Sequence, residues 1–159
     1  MAAVIATLSV WQIPFPFGVP LTFQVFAVAL AGYVLGWGRG SLATLIFIAI
    51  GAVGVPVFSG FIGGVGVLLG PAGGFVIGFL PLALLSGLGM KKKPFLGILF
   101  GMLGLCVCHL IGILQYSFVE SAGILQAFLA VSLPYAVKDA ALVVGAYFLA
   151  VPIRKRTDL

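Results

Sequence analysis

Between Arg39 and Lys91 the sequence runs for 51 residues without one Lys, Arg, Asp or Glu. At about 20 residues per membrane crossing, such a stretch is longer than two spans. Over the whole 159-residue chain 7% of residues are charged and 63% apolar, against about 25% and 45–50% in an ordinary soluble domain. A water-soluble fold is excluded. The length accommodates about six membrane-crossing helices. Nothing remains for a separate catalytic or nucleotide-binding domain, so residues 1–159 are expected to form a single transmembrane domain.

The same scarcity limits mechanism. There is no phosphate-cradling loop ending in Gly-Lys-Ser/Thr and no set of acidic metal ligands, so ATP hydrolysis by this chain is not expected. Energy must come from a partner or a gradient. The net charge of +5 does not signal nucleic acid, because the basic residues stand in short clusters between apolar stretches, as topology determinants do. Cys106 and Cys108 lie within one apolar run and imply no disulfide framework.

Apolar runs bounded by Gly, Pro or charge predict six helices, over Met1 to about Gln12, Leu21 to Trp37, Ser41 to Val55, Gly73 to Leu88, Phe95 to Leu114 and Leu133 to Ile153. Helix 1 rises only about 18 Å and cannot cross about 30 Å of hydrocarbon. Either the natural chain starts further upstream or helix 1 is partly inserted. Arg39, Lys91 to Lys93, and Arg154 to Arg156 all fall on one side of such a bundle. The connections over 13–20, 56–72 and 115–132 carry no Lys or Arg. The positive-inside rule then places both termini in the cytoplasm and these connections outside.

Lys138 is the one basic residue outside that set, and Asp139 adjoins it in the first turns of helix 6. Opposite charges at membrane depth are costly unless paired or facing water, and they mark a functional site by default. A mutually neutralised structural pair is the competing reading. Pro14, Pro16 and Pro20 make the segment before helix 2 an extended outer loop, after which Thr22 and Gln24 either satisfy the helix start or meet a ligand. The Gly- and Pro-rich stretch from Gly54 to Gly78 must be irregular, lining a cavity or buried in protein. Within it Gly63, Gly64 and Gly66 allow close approach of backbone to a ligand, and Phe58 and Phe75 offer apolar faces. Gly32/Gly36, Gly74/Gly78 and Gly97/Gly101 have the small-xxx-small spacing of helix packing. Tyr135 is placed either to touch ligand or to anchor at the interface, and Glu120 reads as a solvated loop residue. Together these residues describe an outer pocket for a small amphipathic ligand with a carboxylate, an apolar middle and N–H donors.

The ordered set Val19-Pro20-Leu21-Thr22-Phe23-Gln24, Gly54-Val55-Pro56-Val57-Phe58-Ser59-Gly60, Gly63 to Phe75, and Pro134 to Asp139 closely resembles the BioY family. These are the membrane-embedded substrate-binding (S) components of energy-coupling factor (ECF) transporters for biotin. The resemblance implies a six-helix S component that takes biotin from outside. It also implies association with a transmembrane coupling subunit and two ABC-type ATPase subunits, which consume ATP and Mg2+ while this chain carries no cofactor. ATP-driven changes in those partners would tip the S component in the bilayer of a prokaryotic cytoplasmic membrane and release biotin inward. Ala2 and Ala6 match the small-residue spacing by which helix 1 docks to the coupling subunit. Two departures stand out. The family pattern has Asp followed three residues later by Lys, whereas here Lys138 directly precedes Asp139, leaving open which meets carboxylate and which the ureido ring. The Gly-Gly-aromatic position, often Tyr in the family, is Phe75.

Other readings make different demands. An S component for thiamin or riboflavin would use more aromatic stacking and fewer paired charges, and one for nickel or cobalt would want His and carboxylates near the outer face. An intramembrane serine protease would need Ser59 beside His109, and the residues place these in an outer loop and deep in helix 5. Cys106 and Cys108 diverge by about 200° on a helix and cannot share a metal ion. A channel would need a ring of polar pore-lining groups.

Overall fold

The computed structural model describes residues 1–13, 21–90 and 94–157. The outer loop expected around Pro14 to Pro20 and the basic run Lys91 to Lys93 lie outside the described residues. In chain order the elements are α1 (Ala2–Val10), β1 (Gln12–Ile13), β2 (Leu21–Thr22), α2 (Gln24–Ala52), α3 (Val65–Leu69), α4 (Gly73–Gly89), α5 (Pro94–Val119), α6 (Ile124–Val131) and α7 (Leu133–Thr157). The two short strands pair antiparallel, Gln12 with Thr22 and Ile13 with Leu21. Among the described residues the other elements are helices, with one isolated antiparallel bridge between Phe58 and Ile62.

The helices expected over Leu21 to Trp37 and Ser41 to Val55 join into the single element α2, broken only at Gly36 (φ 81, ψ 173). The chain reverses there. A methyl group on Gly40 would stand 2.7 Å from Gly32 Cα, whereas a continuous helix would hold those positions about 12 Å apart along its axis. Only glycine adopts the Gly36 conformation without strain, so one residue does the work of a loop. Arg39 consequently sits exposed in the first turn of the second arm, not in a connection. A methyl on Gly36 would meet nothing within 4 Å, whereas one on Gly87 would stand 2.5 Å from the Gly36 carbonyl carbon, so Gly36 makes the turn and its backbone also packs on α4.

Two further differences lie at the other end. The stretch 115–132, expected as a loop, supplies the last turns of α5 and all of α6. Gln115 does not end its helix, because its amide finds partners elsewhere: Nε2 donates to the Leu68 carbonyl at 2.6 Å and to the Gly70 carbonyl at 2.9 Å. Those carbonyls end α3, where intrahelical donors run out.

Helix α4 lies between α2 and α5. A methyl on Gly78 would be 2.7 Å from Cys108 Cα, and one on Gly74 would be 2.9 Å from Gly112 Cα, so these small residues let the α4 and α5 backbones approach closely. Tyr33, Phe47, Phe58 and Leu82 fill the core. Leu42, Leu45, Ile46, Leu84, Leu99, Leu103 and Leu110 are exposed, whereas Gln24, Thr44, Ser86, His109, Ser132 and Asp139 are buried. An apolar exterior around buried polar groups suits a hydrocarbon solvent, where polar groups must be satisfied internally. Among the described residues Gln24–Ala52, Pro94–Val119 and Leu133–Arg156 are long and apolar enough to cross a membrane, and Gly73–Gly89 is a shorter apolar helix. The first of these is two arms of about 18 and 24 Å.

The bundle has two chemically distinct ends. Arg154 Nη1 donates at 3.1 Å to the carbonyl of Tyr33, near the end of the first α2 arm. Gly87 packs on the backbone of Gly36 and Trp37, which brings Arg39 and the α7 cations to the same end. The starts of α2, α4 and α7 lie at the opposite end.

Candidate ligand-binding site

At that opposite end a cavity of about 320 Å³ opens among α2, α4, α6, α7 and the segments around Gln12 and Phe58. Its apolar wall comes from Val25, Phe58, Ile62, Val67, Val76 and Phe79, and its polar rim from Gln12, Thr22, Gln24, Ser59, Lys138 and Asp139. The size is at the small end of the range for ligand pockets, about 300–1,000 Å³.

The polar rim is built around the first turns of α7. Successive side chains of a helix diverge by about 100°, yet Lys138 and Asp139 both face the cavity. The flexible lysine stem allows this: its ammonium curls back to 2.8 Å from Asp139 Oδ1, in the geometry of an ion pair and not of a hydrogen bond. Lys138 Nζ also donates to the Thr22 carbonyl at 3.1 Å and lies 5.9 Å from the centre of the Tyr135 ring, within cation–π range. The side chains differ in exposure, 31% for Lys138 and 6% for Asp139. The cation can therefore reach an incoming anion, while the carboxylate is nearly withdrawn from water. Thr22 Oγ1 donates to Gln24 Oε1 at 3.1 Å and accepts the Gln24 backbone N–H at 3.4 Å. Thr22 thus satisfies the α2 start and also lines the cavity.

Thr22, Gln24, Phe58, Phe75, Tyr135, Lys138 and Asp139 all line the cavity. Gly63, Gly64 and Gly66 do not. Gly63 is pressed against the backbone of Gly54 and Val55, Gly64 turns the chain into α3 with φ 104, and Gly66 has open space around it. The Gly64 N–H donates to the Gly51 carbonyl at 2.7 Å. These glycines shape the loop that carries Phe58 and Val67. Gln12 and Ser59 were not legible as site residues in the sequence. Ser59 Oγ donates to Gln12 Oε1 at 2.7 Å and the Gly60 N–H to the Val10 carbonyl at 3.1 Å, joining the two rim segments. The Pro-rich stretch after Gln12 and the Gly-flanked position of Ser59 were the available signals. Ala2 and Ala6 on α1 are half-buried against the core.

Behind the rim, His109 has partners that sequence alone did not reveal. Its Nδ1 is 2.8 Å from Ser132 Oγ, its Nε2 is 3.4 Å from Asp139 Oδ2, and its ring meets Phe75 edge-on at 5.6 Å. Ser, His and Asp in a row invite comparison with a hydrolytic triad. Ser132 is buried and neither it nor His109 lines the cavity, so a substrate there would meet Asp139 first and the hydroxyl not at all. Ser59, the other serine considered, is bonded to Gln12.

The model of the BioY family matches residues 1–158. The chain is 45% identical over 121 residues to the probable biotin transporter BioY of Pyrococcus horikoshii, covering 76% of this chain and 72% of that protein. It is 41% identical over 129 residues to the biotin transporter BioY of Rhodobacter capsulatus, covering 77% and 68%. Its fold superposes with a TM-score of 0.89 at 26% identity on the crystal structure of the S-component for biotin from an ECF-type ABC transporter, covering 97% of this chain and 86% of that one.

Proposed function

Because the chain belongs to the BioY family, we propose that it captures biotin and serves biotin uptake as the S component of an ECF transporter. The observation that carries this reading is the cavity whose apolar wall ends in the Lys138–Asp139 pair. Biotin has a carboxylate, an apolar ring and chain, and ureido N–H donors. Charge alone assigns the roles: Lys138 pairs the carboxylate and Asp139 accepts from the ureido N–H groups, each contact contributing about 1.5–3 kcal/mol. Phe58, Phe75 and Tyr135 bound the apolar part, and Thr22 and Gln24 add polar contacts at the rim.

Counting the two α2 arms separately with α1, α4, α5 and α7 gives six membrane helices forming one S-component domain over residues 1–159. The basic residues at the end away from the cavity support a cytoplasmic location for that end and for both termini, in the cytoplasmic membrane of a prokaryote. The cavity then faces outward. Inward release requires energy from partners, a transmembrane coupling subunit and two ABC-type ATPases that use ATP and Mg2+. Docking through Ala2 and Ala6 on α1 belongs to the same reading, with the half-burial of both leaving part of each side chain to a partner.

Equilibrium titration of the detergent-purified protein with biotin, thiamin and riboflavin tests the assignment. Biotin is expected to bind at micromolar concentration or below. Binding of thiamin or riboflavin in its place would overturn the substrate.

A further inference from the structure

The polar group behind the binding cavity has a chemical role of its own. Asp139 is one of only three acidic residues in the chain, and its carboxylate is reached from behind by a histidine on a different helix. His109 Nε2 lies 3.4 Å from Asp139 Oδ2, and both Nε2 and Asp139 Oδ1 are buried with no hydrogen-bond partner. The separation is longer than a well-formed N–H···O bond, about 2.7–3.2 Å, but short enough to fix the tautomer. An imidazole lone pair aimed at a carboxylate oxygen would be repelled, so Nε2 carries the proton. Nδ1 pairs with the Ser132 hydroxyl at 2.8 Å, a group that can either donate to or accept from a ring nitrogen. Phe75, edge-on to the imidazole at an interplanar angle of 89°, fixes the ring plane and is itself part of the cavity wall.

We propose that His109 is a positioning residue for the ligand: held by Ser132 and Phe75, its Nε2–H orients the Asp139 carboxylate so that its free lone pair meets an N–H donor of the bound molecule. Each carboxylate oxygen can accept two bonds. Oδ1 is buried beside the Lys138 ammonium, and with His109 at Oδ2 the remaining lone pair of Oδ2 is left for ligand. This inference rests on the reading that Asp139 meets the ligand, and adds what aims it.

The test is a cycle of biotin affinities measured by calorimetry on the full chain in detergent. His109→Phe, which keeps an aromatic ring and removes the donor, is expected to weaken binding about tenfold, the scale on which outer partners tune a binding group. His109→Gln, which restores an N–H donor, is expected to recover most of that loss. In an Asp139→Asn background His109→Phe is expected to change nothing further, because its effect passes through the carboxylate. Wild-type affinity in His109→Phe, or the same loss with and without Asp139, overturns the proposal and makes His109 a packing residue. Wild-type affinity in Asp139→Asn overturns the assignment of Asp139 to the ligand, and this inference with it. Should His109→Phe fail to fold, Ser132→Ala runs the same cycle with an expected loss of about threefold; equal losses in both backgrounds again overturn it.

Discussion

Replacing Lys138 by Met keeps most of the aliphatic stem and removes the ammonium. Three contacts of Nζ are lost: 2.8 Å to Asp139 Oδ1, 3.1 Å to the Thr22 carbonyl, and the 5.9 Å approach to the Tyr135 ring. Lys138 is 31% exposed but Asp139 only 6%, so removing the ammonium leaves a nearly buried carboxylate uncompensated and is expected to lower stability as well. The binding effect is read separately, on the folded fraction. A charge-assisted bond from Lys138 to the biotin carboxylate is worth about 1.5–3 kcal/mol, which corresponds to a loss of roughly ten- to hundredfold in affinity. The decisive measurement pairs the variant with a modified ligand, by titrating wild type and Lys138→Met with biotin and with its uncharged primary amide. If Lys138 meets the carboxylate, the amide has already lost that bond, and the variant binds it about as well as wild type does. A Lys138→Met penalty as large for the amide as for the acid would refute the assignment. It would place the lysine against the ureido ring or in a purely structural pair with Asp139.

Two further outcomes follow from the backbone. Gly36→Ala puts a side chain at φ 81, ψ 173 with no neighbour within 4 Å, so its cost is backbone strain alone, about 1–3 kcal/mol. It should lower the thermal midpoint in detergent while sparing biotin affinity at low temperature; an unchanged midpoint would mean that the reversal tolerates any residue. Gln115→Leu removes the amide that holds the Leu68 and Gly70 carbonyls. At about 1 kcal/mol per lost bond, the α3 segment carrying Val67 loosens and the biotin off-rate should rise several-fold in a displacement experiment; an unchanged off-rate would show that α3 does not retain ligand.

The helical class was legible because apolar runs are long and their boundaries carry Gly, Pro or charge. Helix α4 begins at Gly73 as the sequence suggests and ends one residue later than expected. Lys138 and Asp139 were found for the same reason: in so uncharged a chain, two charges away from the basic clusters stand out. The misreadings have local causes. Arg39 looked like loop punctuation, but a reversal made by one glycine leaves no loop for it to occupy. Gln115, Tyr116 and Ser117 looked like the end of a helix, although α5 continues to Val119. Gly63, Gly64 and Gly66 could equally serve close ligand approach or loop turns, and composition does not distinguish the two. The convergence of His109 with Ser132, 23 residues on, depends on how α5 meets the α6–α7 corner, which no periodicity encodes.

The cavity wall draws on the chain from Gln12 to Asp139, so the binding site has an order of assembly in time. During synthesis the apolar wall contributed by Phe58, Phe75 and Phe79 is made before Lys138 and Asp139, the charged part of the rim. On the proposed reading, a chain cut short before Lys138 carries an apolar recess without its charged pair, and it should bind biotin far more weakly than the full chain.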